Sequence, residues 1–236
     1  LYATFAQRAL DCIYHDVVLP QLPVIFVLDR SGIVEDGPTH HGIYDLAFLR
    51  TLPKLPILAP RDESELALML RFAYQQTGPV VIRYPKGHGA RELRLQEAED
   101  ISCGKAEVLQ DGAGPVIWAL GSEVDTAFKV SDLHEHETGQ KCLIVNTRFV
   151  SPFDRHLAES LAGRPMLTIE DHCRSGGLAS ALDEALAGIP HDRILHYGWP
   201  DQIIPHGEPE LLRKKFQLTA EDIAKDLLKK LYSANA

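Results

Sequence analysis

The stretch DGPTHHG, residues 36–42, combines an acid, two glycines, a proline, a hydroxyl and two adjacent histidines shortly after an apolar run. Asp-Gly and Gly-Pro are loop dipeptides, so turn chemistry explains much of this composition. Histidine titrates near neutral pH and a nearby carboxylate can fix its tautomer. Asp36, His40 and His41 are therefore also suited to proton transfer or to binding a polar substrate. The stretch alone leaves both interpretations open.

Alternating β-rich and helical runs surround this loop and must position it. The β-rich runs are VIFVLDR, LPILAP and PVVIRYP, and the helical runs between them are YDLAFLRTL and ESELALMLRFAYQQ. This order predicts a βαβαβ unit with buried parallel strands. The clearest helix begins near Asp62, because acids occupy its first turn. The preceding segment, residues 1–18, predicts an amphipathic helix with no signal-peptide core before it.

A polar stretch, residues 86–104, separates this unit from a second α/β alternation, which is typical of a linker between domains. We place the boundary near Gln96, with domains at 1–96 and 97–236. The second half predicts strands at 104–110, 115–121, 141–149, 165–171 and 193–198, with helices between them and two helices at the end. The predicted fold class is α/β, with two domains whose sheets are mostly parallel.

The composition restricts the function. A chain of 236 residues with 45% hydrophobic and 24% charged residues is typical of a globular protein with a sizeable core. The net charge of -9 and scattered basic residues argue against a nucleic-acid surface. Apolar runs are too short to cross a bilayer. The four cysteines form no CxxC pair, which predicts buried free thiols in the reducing cytoplasm.

Three loops, YATFAQR, DRSGIVEDGPTHHG and RYPKG, follow predicted strands or begin a helix. Open α/β sheets bind ligands at the carboxyl ends of their strands. The loops provide cations, aromatic rings and acid or base groups, namely Tyr2, Phe5, Arg8, Arg30, Asp36, His40, Arg83 and Lys86. This combination suits a phosphorylated substrate better than a neutral one.

The same stretches, together with APRDESELALML, VNTRFVSPFD and GWPDQIIPHG, resemble in order the carboxyl-terminal part of the 1-deoxy-D-xylulose-5-phosphate synthase family, which is part of the transketolase superfamily. The resemblance implies a pyrimidine-binding domain lacking its beginning and a transketolase C-terminal domain. It also implies thiamine diphosphate and Mg²⁺ as cofactors, a homodimer of the whole enzyme, and condensation of pyruvate with glyceraldehyde 3-phosphate with loss of CO2. The product would enter isoprenoid, thiamine and pyridoxal biosynthesis.

The resemblance assigns roles to individual residues. The implied catalytic residues are Asp36, His40 and Tyr2, the implied substrate-binding residues are Arg30, Lys86 and Arg8, and the implied cofactor-binding residues are Phe5 and Tyr2. A planar ring at Phe5 is suited to stacking on the aminopyrimidine of the cofactor. His41 is left out, because family members often carry Gln there, and Arg83 is equally explained as structural.

Two departures from the family pattern affect the predicted phosphate site. Lys86 occupies a position where the family has Arg. The planar guanidinium, which can form two parallel hydrogen bonds with a phosphate, is thereby replaced by an ammonium that acts as a point charge. The loop SGIVEDG is one residue shorter than the SGIVGADG form, which could shift Asp36. Weaker phosphate binding is the hypothesis that follows.

The family's GDG motif is absent, and its activating Glu lies upstream of Tyr2, so the metal ligands are expected outside this chain. We expect the chain to be inactive alone and to need an amino-terminal diphosphate-binding portion. Alternatives are a related transketolase, a 2-oxo acid dehydrogenase β subunit, or a non-catalytic dimerising fragment.

Two further stretches contain residue types that can bind a ligand, and both are interpreted as structural. The segment IEDHCRSGGLASAL, residues 169–182, could bind an anion at a helix start but is interpreted as support for the site and as dimer contact. HEHE, residues 134–137, lacks HExxH spacing and predicts a solvated surface.

Overall fold

The β-rich runs of the first half form a parallel sheet. The computed structural model describes residues 1–87 and 101–232. Its first strands are β1 (Ile25–Leu28), β2 (Ile57–Leu58) and β3 (Val80–Arg83). β3 lies between β1 and β2 and pairs in parallel with both. The predicted βαβαβ unit is confirmed.

The second half forms a five-stranded sheet. Its strands are β4 (Glu107–Gln110), β5 (Val116–Ala119), β6 (Leu143–Asn146), β8 (Met166–Cys173) and β9 (Ile194–Trp199). Their spatial order is β4-β6-β5-β8-β9, and every pair is parallel except β4 with β6. The predicted α/β class with mostly parallel sheets is therefore confirmed.

One strand prediction was wrong. Residues 141–149 do not form a single strand, because the chain leaves the second sheet after Asn146. Arg148 adopts a left-handed backbone with φ of 55°, which bends the chain sharply. The following residues form β7 (Phe149–Ser151), which pairs antiparallel with β2 at the edge of the first sheet.

The helices flank both sheets. They are α2 (Asp45–Leu49), α3 (Glu63–Tyr74), α4 (Glu123–Thr138), α5 (Arg155–Ser160), α6 (Leu178–Ala185), α7 (Pro209–Lys215) and α8 (Ala220–Tyr232). α3 begins as predicted, with the Asp62 carboxylate accepting from Glu65 N at 2.8 Å. No helix within the described ranges is both long and apolar enough to cross a bilayer.

The amino-terminal segment is helical but not a regular α-helix. It runs through a 3₁₀ segment (Ala3–Ala9), a short α1 (Leu10–Cys12) and a π segment (Ile13–Val18). Backbone bonds from Ala3 N to Asp29 O and from Asp29 N to Leu1 O join its start to the end of β1. This pairing places the first residues of the chain beside the loop that follows β1.

The two halves share one apolar core. Its members come from both sheets and from the helices between them, and include Leu28, Leu46, Leu49, Ile57, Val116, Trp118, Val150, Leu178 and Leu182. Burial of this continuous surface fixes the sheets against each other. The domain boundary predicted near Gln96 lies outside the described residues and stays a prediction.

Two smaller predictions need correction. All four cysteines are free, but only Cys142 and Cys173 are buried, whereas Cys12 and Cys103 are exposed. The HEHE stretch is not wholly a solvated surface. His134 is fully buried in α4, with Nδ1 2.8 Å from Gln140 O and Nε2 3.1 Å from the Tyr232 hydroxyl, because α8 packs over that end of the helix.

Candidate active site

The DGPTHHG stretch forms a closed loop after β1. Gly32 N donates to Gly42 O at 2.7 Å, and Gly42 N donates to Gly32 O at 2.8 Å, so the two glycines pair across its base. Inside the loop, Gly37 adopts a φ of 86° and its carbonyl accepts from His40 N at 2.9 Å. The stretch is therefore a turn, and its side chains determine whether it is also a site.

Three residues of the amino-terminal segment lie on one face beside this loop. Tyr2, Phe5 and Arg8 are spaced by three, and a 3₁₀ helix brings residues of that spacing into line. The Tyr2 and Phe5 rings are nearly parallel, with centroids 5.7 Å apart and an interplanar angle of 13°. The Arg8 guanidinium carbon is 5.5 Å from the Phe5 centroid. These side chains form a continuous aromatic and cationic surface.

The loop completes this surface. The His40 ring meets Phe5 edge to face, with centroids 5.5 Å apart, and its Nδ1 is 2.9 Å from Thr39 Oγ1. Arg30 lies over the Tyr2 ring at 4.2 Å and forms an ion pair with Asp36 at 3.5 Å. Six of the predicted site residues thus meet in one cluster, although they come from two separate segments of sequence.

The seventh, Lys86, comes from the loop after β3 and forms an ion pair with Glu35. Arg30 and Lys86 line one cleft of about 440 Å³ at the carboxyl ends of β1, β2 and β3. Ser122, at the start of α4, also lines it. The cleft has the position that open α/β sheets use for ligands.

The carboxyl-terminal half holds the loop in place. His41 is buried, accepting from Val34 N at 3.3 Å through Nδ1, while its Nε2 lies 3.3 Å from Pro205 O. Because Nδ1 accepts, Nε2 carries the proton and donates to Pro205. Burial lowers the pKa of His41, which keeps the ring neutral. His41 therefore fastens the loop to the second domain.

Asp171 in β8 is a second fastening point. Its Oδ2 accepts from Ile33 N at 3.3 Å, and its Oδ1 accepts from Trp199 Nε1 at 2.6 Å. A Cβ on Gly32 would lie 1.9 Å from Asp171 Oδ2, so only glycine allows this approach. Arg213 in α7 approaches the same carboxylate at 3.2 Å.

A buried ion pair lies behind the loop. Arg83 donates from Nε to Asp45 Oδ2 at 2.8 Å and from Nη2 to Asp45 Oδ1 at 3.3 Å. The same Nη2 lies 3.3 Å from Gly42 O and 3.4 Å from Asp171 O. Arg83 is therefore structural, as the sequence allowed, and it connects the loop, α2 and β8.

Two buried titratable groups of β8 complete the junction between the halves. His172 Nε2 accepts from Leu46 N at 3.2 Å, and burial lowers the pKa of His172 to about 4. Glu170 accepts from Leu178 N at 2.6 Å and Ala179 N at 2.9 Å, at the start of α6. Burial raises the pKa of Glu170 to about 8, against the effect of those two donors.

Sequence reasoning did not identify Asp171, His172 or Glu170 individually as residues that hold the loop and the two halves together. A signal was nevertheless available, because the apolar strand Met166–Cys173, which is fully buried, contains the consecutive residues Glu170, Asp171 and His172. Charged groups are buried in this way only when they have partners.

The half-buried Phe5 ring, with Tyr2 parallel to it and His40 against it, is an aromatic wall suited to stacking with a heterocycle. Such a wall has the chemistry to hold the ring of a thiamine cofactor, and the cofactor role of Phe5 and Tyr2 stays a prediction. In the described part of the chain no three His, Cys, Asp or Glu side chains converge to hold a metal ion. The expectation that Mg²⁺ ligands lie outside this chain stays a prediction.

Residues 1–90 match the transketolase pyrimidine binding domain family, and residues 104–223 match the transketolase C-terminal domain family. The chain therefore belongs to the transketolase family.

Within this family the chain is similar to 1-deoxy-D-xylulose-5-phosphate synthases, as the sequence predicted. It is 43% identical over 233 residues to that synthase from Methylacidiphilum infernorum, and 44% identical over 230 residues to 1-deoxy-D-xylulose-5-phosphate synthase 2 from Geobacter sulfurreducens. The alignments cover 97% and 95% of this chain. The chain spans 37% of the length of each of these relatives.

Solved structures agree with this placement. A split gene transketolase, described as an inactive beta4 tetramer, superimposes with a TM-score of 0.85 at 29% identity, covering 97% of this chain and 74% of that one. A transketolase mutant from Pichia stipitis has a TM-score of 0.76 at 24% identity, covering 99% of this chain and 34% of that one, which shows the shared fold.

Proposed function

We propose that this chain forms the acceptor-substrate half of a 1-deoxy-D-xylulose-5-phosphate synthase, which condenses pyruvate with glyceraldehyde 3-phosphate and releases CO2. The observation that supports this most directly is that Arg30 and Lys86 line one cleft and that Arg30 also contacts Asp36 and Tyr2, whose ring stacks on the Phe5 ring that His40 meets. An aldehyde carrying a phosphate needs cations at one end and a proton donor at the other. The product would feed isoprenoid, thiamine and pyridoxal biosynthesis in the cytoplasm.

Each side chain has a stated part in binding or orienting the acceptor. Arg30 and Lys86 attract the phosphate, and Arg8 adds positive charge on the Phe5 side of the site. His40 Nδ1 is held near Thr39 Oγ1, which leaves Nε2 to donate a proton to the acceptor's carbonyl oxygen. Asp36, partly exposed beside Arg30, orients a hydroxyl of the acceptor.

Thiamine diphosphate, when bound, supplies the decarboxylation and carbon-carbon bond chemistry that side chains cannot perform. Phe5 would pack against its ring, and Tyr2 would line the same surface. Mg²⁺ would be held by ligands elsewhere in the assembled enzyme. This chain contributes ring packing, acceptor binding and proton donation.

The partner we propose is an amino-terminal portion that carries the diphosphate-binding domain, with two copies of the whole enzyme forming a dimer. Two observations support a contribution from such a portion. The chain corresponds to 37% of its curated relatives, and a structure similar to nearly all of it is a split gene transketolase. The chain alone is expected to be inactive.

The test combines mass spectrometry of every polypeptide in the purified sample with an assay for 1-deoxy-D-xylulose 5-phosphate. Pyruvate, glyceraldehyde 3-phosphate, thiamine diphosphate and Mg²⁺ are supplied, with and without a co-expressed amino-terminal portion. Product is expected only when both portions are present. The variant His40→Asn should lose roughly 100-fold or more in kcat/KM, the range of a lost general acid.

The exposed His136 at the end of α4 provides the matched control, since His136→Asn removes the same group outside the site. Turnover of ribose 5-phosphate without pyruvate-dependent product would instead favour a transketolase. Failure of every acceptor in the presence of both portions would reject an acceptor-binding role.

A further inference from the structure

Both cations of the proposed phosphate site already have anionic partners on one short loop. Arg30 pairs with Asp36 at 3.5 Å, and Lys86 pairs with Glu35 within hydrogen-bonding distance. Glu35 and Lys86 are 51 positions apart, so the contact is made by the fold rather than by neighbours in sequence. The positive charges of Arg30 and Lys86 are therefore matched by the negative charges of Asp36 and Glu35.

The Glu35 backbone is held firmly next to Lys86. Val34 before it is buried and donates its N–H to His41, and Val34 O accepts from Gly37 N at 3.4 Å. The carboxylate itself is not confined, since the side chains of Glu35 and Lys86 are 45% and 48% exposed. The backbone thus keeps the negative charge at the site, while the side chain remains free to leave its partner.

We propose, building on the proposed function, that Glu35 is a specificity-determining residue whose carboxylate acts as an internal counter-ion for Lys86 and must be displaced by the phosphate of the acceptor. Lys86 suits this exchange because an ammonium is a point charge with rotatable donors, which passes from one anion to another without a fixed fork geometry. A phosphate carries more charge and more acceptor oxygens than one carboxylate, so it can compete for Lys86.

The Glu35 carboxylate competes with phosphate for Lys86 at neutral pH. The Lys86 ammonium holds the pKa of the Glu35 carboxyl below its usual range, so Glu35 stays ionised through neutrality. Lys86 must therefore give up its contact with Glu35 before it can bind a phosphate. The enzyme therefore favours phosphorylated acceptors over the corresponding neutral aldehydes less strongly than it would without the Glu35 carboxylate.

The first experiment measures binding of inorganic phosphate to the full chain by titration calorimetry at low ionic strength. Glu35→Gln is expected to tighten binding roughly two- to fivefold, the scale of an exposed ion pair, and the gain should shrink in high salt. Glu159→Gln, which removes one acid from the exposed Arg155–Glu159 pair on α5, is the control for the change in net charge and should leave binding unchanged.

A second pair of variants isolates the contact itself. In a Lys86→Gln background, Glu35→Gln should give no tightening beyond that of the Glu159→Gln control, because the competition for Lys86 is gone. Equal phosphate affinity in Glu35→Gln and the unmodified chain would overturn the proposal. A gain that survives in the Lys86→Gln background would overturn it as well.

The final experiment uses the complete enzyme and separates this inference from the proposed function. The ratio of kcat/KM for glyceraldehyde 3-phosphate to that for D-glyceraldehyde should rise about two- to fivefold in Glu35→Gln. An active enzyme with an unchanged ratio rejects the counter-ion and leaves the synthase intact. Phosphate binding that responds as expected in a preparation that makes no product supports the counter-ion and rejects the synthase.

Discussion

The buried pair between Arg83 and Asp45 is predicted to stabilise the site far more than its surface counterparts. The Asp45 side chain is fully buried and that of Arg83 is 5% exposed, and two hydrogen bonds join them. Asp45→Asn keeps the shape but leaves the guanidinium buried without a counter-charge. Breaking such a pair from one side costs about 3–5 kcal/mol. We expect the free energy of unfolding to fall by that amount.

The matched control is Glu184→Gln. Arg50 donates to Glu184 at 2.7 Å, but the Glu184 side chain is 68% exposed, so its loss should cost at most about 1 kcal/mol. Urea unfolding at pH 7, followed by circular dichroism, measures both variants under conditions where the slope with denaturant is unchanged. A cost for Asp45→Asn no larger than that for Glu184→Gln would refute the reasoning, because burial would then not distinguish the two pairs.

Three further outcomes are expected. Burial lowers the pKa of His172 from 6.5 to about 4, so between these pH values the unfolded chain binds a proton that the folded chain does not. The free energy of unfolding should therefore fall by up to about 3 kcal/mol as the pH drops from 6.5 towards 4. Urea unfolding across that range should show a shallower decline in His172→Gln. His41→Phe leaves the Val34 N–H without its acceptor, which should lower the free energy of unfolding by about 1–3 kcal/mol. Hydrogen exchange at the Val34 amide should become faster. An unchanged exchange rate would contradict the assigned contact. Gly32→Ala should lower the melting temperature much more than Gly139→Ala does. Both glycines have a positive φ, but a Cβ at Gly32 would collide with Asp171, whereas a Cβ at Gly139 meets no atom within 4 Å. Equal decreases would mean that Asp171 does not limit the space at Gly32.

Much of the candidate site could be predicted because its parts follow local rules. Alternating runs placed β1, β2 and β3 in one parallel sheet, and the loops after them had to meet at its carboxyl edge. Turn chemistry identified residues 36–42 as a loop. These features depend on neighbours in sequence or on a known sheet geometry, so composition and order were sufficient.

The partners of the predicted cations could not be predicted in the same way. Glu35 reaches Lys86 across 51 positions, and Asp171 reaches the Ile33 amide across 138. Contacts of this kind depend on how two sheets pack, which no local pattern specifies. The bend at Arg148 was missed for a related reason, because a single left-handed residue divided an otherwise continuous β-rich run.

The amino-terminal segment shows how a difference in helix type changes the chemistry available. A regular α-helix turns each residue by about 100°, so residues three apart diverge by about 60°. The 3₁₀ segment Ala3–Ala9 removes that divergence and aligns Tyr2, Phe5 and Arg8 along one face. Because the start of the segment is fixed by its bonds to Asp29, this face must meet the loop that carries His40. The short tight helix is therefore the feature that converts a sequence spacing of three into one continuous binding surface.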